Sequence, residues 1–289
     1  MASIQKTVAW FNEELEKYIK KIQPPKVLHD SMQYSLLAGG KRIRPLLLFA
    51  TLEAFGQNPS LGLPVACAVE MVHTYSLIHD DLPAMDDDDY RRGKLTNHKV
   101  FGEATAILSG DALLTYSFQV LAEAKEIPAE QKIKLIAELA RAAGPEGMVA
   151  GQINDLAAEN KQISLSELEE IHIHKTGKLL AYCIKAGGIL ADADRGIMEQ
   201  LDQFSYHIGL AFQIRDDVLD VIGSTEQLGK KAGSDEIKNK STYPKLLSLA
   251  GAKEKLREHI TLAQNILHSL PLETGRLEEL TELVAHRIN

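Results

Sequence analysis

Cysteine and tryptophan are scarce, with two cysteines and one tryptophan among 289 residues. Cys67 and Cys183 each sit in an apolar helical run, so they read as buried free thiols rather than a disulfide. No Cys/His spacing suits zinc. Positive charge is also short: 32 Lys and Arg stand against 40 Asp and Glu, a formal net charge of −8. That excludes a general nucleic-acid surface, because phosphate contacts need a basic face. Small phosphorylated ligands stay open, held by local basic residues or by metal ions. Long apolar runs are missing as well, and none approaches the roughly 20 residues of a membrane span. The N-terminal "MASIQKTVAWFNEELEKYIKK" lacks a signal-peptide core and reads as an amphipathic helix. These absences point to a cytoplasmic protein. Linkers and repeats are lacking too, so one domain over residues 1–289 is expected.

What is present is helical. Apolar residues recur at three- and four-residue intervals nearly throughout, and strand-like alternation is rare. The spacing predicts an all-α chain with helices over about 3–20, 27–38, 45–55, 63–82, 102–125, 129–143, 146–158, 165–174, 176–190, 195–222, 244–250, 252–268 and 273–287. "SLSE" at 164–167 is a capping-box pattern, and Pro45 and Pro244 suit first helical turns. Residues 83–100 and 223–243 form two long polar connections. Each follows a long apolar helix that ends in aspartates, and loops of that length are often functional.

The first aspartate cluster lies in "LIHDDLPAMDDDDYRRG", residues 77–93. His73 and Asp80 share a helix face. Asp86 could not share it on a continuing helix, since six residues turn the chain by about 240° beyond whole turns. Pro83 lets the chain leave the helix and Asp86 swing back. Asp87 and Asp89 read as a solvated acidic loop. The second cluster is "FQIRDDVLD". Asp216 and Asp220 stack on one face, with Gln213 one turn earlier. Carboxylates on an apolar helix are costly unless compensated. Mg²⁺ resolves the cost, because it prefers carboxylate oxygens and bridges to phosphates. Either cluster alone could be a surface acidic patch; two such helix ends in one all-helical chain favour metal.

Basic residues gather near these motifs. "LLAGGKRIRP" places Lys41, Arg42 and Arg44 at a helix N-terminus, which favours anions. Arg91 and Arg92 follow the first cluster, Lys175 and Thr176 stand between two apolar helices, and Lys230 and Lys240 follow the second cluster. "GKST" at 239–242 lacks the glycine spacing and preceding strand of a P-loop. Motif carboxylates and a diphosphate would repel, by about 4 kcal/mol for one unit pair 4 Å apart at an effective dielectric near 20. Mg²⁺ between them reverses the sign, and Arg and Lys complete the phosphate shell.

With "GGKRIRP", "HDDLPAMD…RRG", "KTG", "QIRDDVLD" and the late lysines in order, the chain resembles the trans-isoprenyl diphosphate synthases, most closely their bacterial farnesyl diphosphate synthase branch. The resemblance covers nearly the whole chain, and the first motif has the longer DDxxxxD form typical of bacterial and plant-type members. It implies antiparallel helices around a deep central cavity, as a homodimer. Asp80 and Asp86, with Asp81, would face Asp216 and Asp220 across the cavity mouth and hold three Mg²⁺ on an allylic diphosphate, dimethylallyl or geranyl. Arg91, Lys175, Lys230 and Lys240 would bind that diphosphate. Lys41, Arg44, His73 and Arg92 would bind isopentenyl diphosphate. Thr176 and Gln213 would turn polar groups toward an allylic cation.

The implied reaction is ionisation, head-to-tail condensation and proton loss to the departed diphosphate, which needs no protein nucleophile. Tyr75, five residues before Asp80, would floor the cavity and stop growth at C15. Helix geometry alone puts Ser76, not Tyr75, on the Asp80 face. Alternatives are a C20 geranylgeranyl diphosphate synthase, a class I terpene cyclase, and a non-catalytic regulatory subunit. The intact aspartate motifs speak against the last, and "GGKRIRP", His73 and Arg92 against the cyclase.

Overall fold

The computed structural model describes residues 2–223 and 240–286. Every regular element among them is helical except one pair of two-residue strands. The chain packs as two compact units. One comprises Met1–Leu46 and Ser60–Ile136; the other comprises Leu47–Pro59 and Ala137–Asn289.

The first unit opens with α1 (Ala2–Lys21) and α2 (Lys26–Leu36). Phe11, Leu15 and Ile19 recur every four residues on α1 and are buried, the stripe expected of an amphipathic helix. Helix α3 (Ile43–Ala54) begins in this unit. After a 3₁₀ turn, α4 (Leu63–Asp80) forms its centre. Val65 to Val69 are fully buried without a break, so α4 is apolar all round, as a helix surrounded by neighbours must be. By length and composition Pro59–Asp80 could cross a membrane, which the run-by-run reading did not anticipate, but 72% of its apolar window is buried inside the protein. The apolarity therefore serves the core.

A hairpin follows, β1 (Tyr90–Arg91) pairing antiparallel with β2 (Lys94–Leu95). Then come α5 (Asn97–Phe101), α6 (Glu103–Ala122) and the first half of α7 (Ala129–Ala143). Residues 83–100 are thus not one loop. Arg92 and Gly93 at the hairpin tip both have positive φ, 54° and 75°, as a type I′ turn requires. Arginine gives no warning of such a turn. Behind it a buried polar ladder is fully paired. Ser109 Oγ donates to Ser31 Oγ (2.7 Å), Ser31 Oγ to Asn97 Oδ1 (2.8 Å), and Asn97 Nδ2 to Ser35 Oγ (2.8 Å).

The second unit holds the rest of α3 and α7, then α8 (Met148–Ala158), α9 (Leu165–His172), α10 (Lys178–Leu190), α11 (Arg195–Ile222), α12 (Tyr243–Ser269) and α13 (Gly275–His286). The capping box at Ser164 and Glu167 forms as the pattern predicts. Two expected breaks differ. No break separates 174 from 176: α9 runs into α10 through a π turn at Ile173–Gly177. The break in the last long helix falls at Ser248 (φ 69°), three residues before Gly251, and Ser248 Oγ accepts the Gly251 N–H at 3.3 Å to start the helix again. Cys67 and Cys183 are buried free thiols.

Candidate active site

Helix α4 ends at Asp80, two residues earlier than its apolar pattern suggests. The turn after it folds back to satisfy the carbonyls that a helix end leaves open. Asp86 N–H donates to Asp80 O at 2.8 Å, and Met85 and Asp87 N–H donate to Leu82 O. The peptide of Asp86 is therefore brought against Asp80, while Asp87 and Asp89 are exposed. Asp80, as the last residue of α4, stands at the negative end of the helix dipole, where a cation is favoured.

Asp81 was expected among the metal ligands. It is 3% exposed, and both its oxygens accept from Arg91, Oδ1 from Nε (2.8 Å) and Nη2 (2.6 Å) and Oδ2 from Nε (2.9 Å). This fork-on-carboxylate pairing fixes the guanidinium plane. Burial pushes the Asp81 carboxyl up, and Arg91 only partly reverses it.

The hairpin tip brings Arg92 to the glycine pair, where its guanidinium donates to Gly39 O. A Cβ on Gly40 would lie 2.7 Å from the Arg92 guanidinium carbon, at a φ of 120° that favours glycine, so both space and backbone call for glycine there. Arg42 is anchored inward. Its Nη1 donates to Glu70 (2.6 Å), Nε to Asn12 (2.9 Å) and Nη2 to Leu36 O (2.9 Å), with Arg42 and Glu70 both buried. Its role is to brace the loop that presents exposed Lys41 and half-buried Arg44. Loss of solvent, then Arg44, Arg92, Arg91 and Arg42, hold the His73 imidazole well below its usual range, so it is neutral at pH 7. Burial and the same arginine cluster push Arg92 down to about 10. The arginines thus concentrate positive potential around one histidine, which would attract an anion. Tyr75 is 8% exposed in the wall of α4 and meets His79 edge-on at 5.7 Å.

In the second unit, Asp216 and Asp220 stack one turn apart near the end of α11, whose last turn has no basic residue. Asp220 is 5% exposed; Gln213 and Asp216 are half-buried. Lys175 and Thr176 lie on the π turn, a feature common at functional positions. Sequence reasoning missed Asp155, the one carboxylate in "MVAGQINDLAA". Its Oδ2 accepts from Lys175 Nζ (2.6 Å) and Lys240 Nζ (3.1 Å), which joins two expected ligand lysines. Burial pushes its carboxyl up, but the two lysines outweigh that and hold it below the usual range. Gly151 allows this approach: a Cβ there would lie 2.1 Å from Lys175 N. A separate cavity of about 520 Å³, lined by Glu138, Tyr182, Lys185 and Asp202 among others, touches none of the expected residues. Lys230 lies outside the described residues.

The polyprenyl synthetase family model matches residues 25–283. The chain belongs to the polyprenyl synthetase family. It is 58% identical over 275 residues to the farnesyl diphosphate synthase of Geobacillus stearothermophilus, covering 94% of this chain and 93% of the other. To that of Bacillus subtilis it is 55% identical over 289 residues, covering 99% and 97%. A crystal structure of an FPP/GFPP synthase from Zymomonas mobilis superposes with a TM-score of 0.88 at 35% identity, covering 98% of this chain and 100% of the other. The chain is thus an all-α prenyltransferase of the isoprenoid-synthase fold.

Membership carries a divalent-metal requirement. Among the described residues no three His, Cys, Asp or Glu side chains converge on one metal position. The donor sets still fit a hard cation. Such an ion keeps several waters and takes one or two carboxylates plus substrate phosphates, which suits a small number of aspartates on each helix.

Proposed function

We propose that this protein is a farnesyl diphosphate synthase, condensing isopentenyl diphosphate head to tail with dimethylallyl and then geranyl diphosphate. One observation carries the reading beyond the family. The arginines around His73 concentrate positive charge in the same unit as the Asp80–Asp86 turn, which supports a second anion-binding position. A reaction joining two diphosphates needs an anion site besides its metal-linked one; a cyclase does not. Both units serve this one activity as a single synthase domain over residues 1–289. The enzyme is cytoplasmic and acts as a homodimer.

In this reading Lys41, Arg44, His73 and Arg92 hold isopentenyl diphosphate. Arg91, Lys175, Lys230 and Lys240 hold the allylic diphosphate. Asp80, Asp86, Asp216 and Asp220 are the Mg²⁺ ligands, for three ions, and Asp81 is read mainly as the anchor of Arg91. When bound, Mg²⁺ supplies positive charge to the leaving diphosphate. The fixed cations of the chain stabilise that same charge as the C–O bond ionises, without reorganising at the moment of reaction. Thr176 and Gln213 direct polar groups to the allylic cation. The isopentenyl double bond attacks it, and the departed diphosphate takes the proton, so no side chain need act as base. Tyr75 closes the pocket at C15.

The test is product analysis of purified protein with Mg²⁺, isopentenyl diphosphate and dimethylallyl or geranyl diphosphate. C15 prenyl diphosphate is expected, and chelation should abolish it. Mainly C20 product would make the protein a geranylgeranyl diphosphate synthase. Cyclic hydrocarbon without isopentenyl diphosphate would make it a cyclase, and no prenyl product a regulatory subunit.

A further inference from the structure

Three segments of the second unit carry expected ligands: the π turn carries Lys175, the end of α11 carries Asp216 and Asp220, and the chain entering α12 carries Lys240. A buried cluster outside the expected set ties these segments together. Asp217 Oδ2 accepts the Tyr243 N–H at 2.9 Å and lies 3.4 Å from His172 Nε2. The His172 and Tyr243 rings stack 5.8 Å apart with planes 13° from parallel. Tyr243 OH donates to Glu169 Oε1 at 3.2 Å. Tyr243 is 0% exposed and Asp217 5%.

The placement follows from helix geometry. Asp217 is turned by about 100° from Asp216, off the face that Asp216 shares with Asp220. Its carboxylate instead meets the first turn of α12. There Thr242 stands at the cap position but makes no side-chain cap bond. A helix start leaves its first N–H groups open and favours negative charge. Asp217 supplies the missing acceptor from another helix. His172 lies three residues before Lys175, and Tyr243 three after Lys240, so holding these two rings on Asp217 sets where both lysines begin.

We infer that Glu169, His172 and Tyr243, acting through Asp217, are positioning residues that register Lys175 and Lys240 on Asp155 against Asp216 and Asp220. The inference rests on the synthase reading above. Their effect on Asp155 runs through Asp217 and the two segments that carry the lysines.

Steady-state kinetics of the full-length enzyme test it. Asp217→Ala should lower kcat/KM for geranyl diphosphate about 100-fold, the scale of a 1 Å misplacement. The KM for isopentenyl diphosphate should stay within about twofold, and Asp217→Asn, which keeps an acceptor oxygen, should recover most of the loss. Combined with Lys240→Ala, Asp217→Ala should add less than about threefold, since residues acting as a unit are not additive. Equal losses for both substrates, or fully additive losses, would overturn the inference in favour of simple destabilisation. Should Asp217→Ala fail to fold by circular dichroism, Tyr243→Phe decides. It removes one hydroxyl and keeps the stack, and should raise the geranyl diphosphate KM alone, by about threefold. An unchanged KM there refutes the inference. A wild-type enzyme without prenyl product, or a fully active Asp216→Ala variant, would instead sink the synthase reading itself. An inactive Asp216→Ala beside a normal Asp217→Ala would sink only the positioning role.

Discussion

The ends of α4 and α11 carry the same pattern: a pair of adjacent aspartates, then a third. They use the second aspartate differently. At the end of α4, Asp81 takes a guanidinium, holding Arg91 with both oxygens. At the end of α11, Asp217 takes a backbone N–H, holding the start of α12 at Tyr243. One end fixes a charged side chain that can itself meet a phosphate; the other fixes a chain segment that bears such a side chain. In both, the middle acid is more buried than the acid before it and is held by a group of the protein. A repeated acid motif is thus not a set of equivalent ligands, and helix rotation separates the members.

The sharpest way to break this comparison is to remove the outer acids. Asp80→Ala and Asp216→Ala should each lower turnover by about 1,000-fold, as loss of charge stabilisation does. Both should keep the helical fold. Kinetics beside thermal melts check this; a stability loss with near-normal turnover would make these acids structural. Next is Arg91→Ala, which leaves Asp81 buried without its guanidinium. It should cost about 1–3 kcal/mol and about 100-fold in turnover. Arg91→Lys keeps the charge but not the fork and should recover only part of either. If Arg91→Ala changed stability alone, Arg91 would belong to the scaffold. Smaller in turnover, but plain in outcome, is Tyr75→Ala. Chromatography of its products should show chains beyond C15, and unchanged C15 would remove Tyr75 as the floor.

Most of the helical frame was legible, because a buried stripe repeats at the helical period whatever the helix packs against. Phe11, Leu15 and Ile19 show it on α1, whose ends fall within one residue of the expected 3–20. The acid clusters stood out as charge on apolar runs. What stayed hidden depended on partners distant in sequence or on uncommon backbone. Arg92 in a left-handed turn looks like any loop arginine until its hairpin forms. The π turn keeps the sequence pattern of two helices while removing the break between them. Arg42 and Glu70 lie 28 residues apart and explain each other only once paired. Asp155 could have been noticed as the lone acid of an apolar helix, but nothing in the sequence says that two lysines, one of them 85 residues away, meet there.

Asp155 gives the smallest and most discriminating effect. Its carboxyl lies below its ordinary value of 3.8 because Lys175 and Lys240 outweigh burial. A depressed acid contributes stability that is present above its unfolded value and lost as pH falls through the folded one. Asp155→Asn lacks that contribution at every pH. The stability gap between wild type and variant, read from urea unfolding, should therefore be widest near pH 6 and narrow below pH 3.8. A gap constant over that range would mean that the two lysines do not depend on the Asp155 charge. Asp81 offers no such signature, since burial pushes it upward despite Arg91. A narrowing gap for Asp155→Asn would therefore show that the acid gripping two lysines in the second unit is held charged by them.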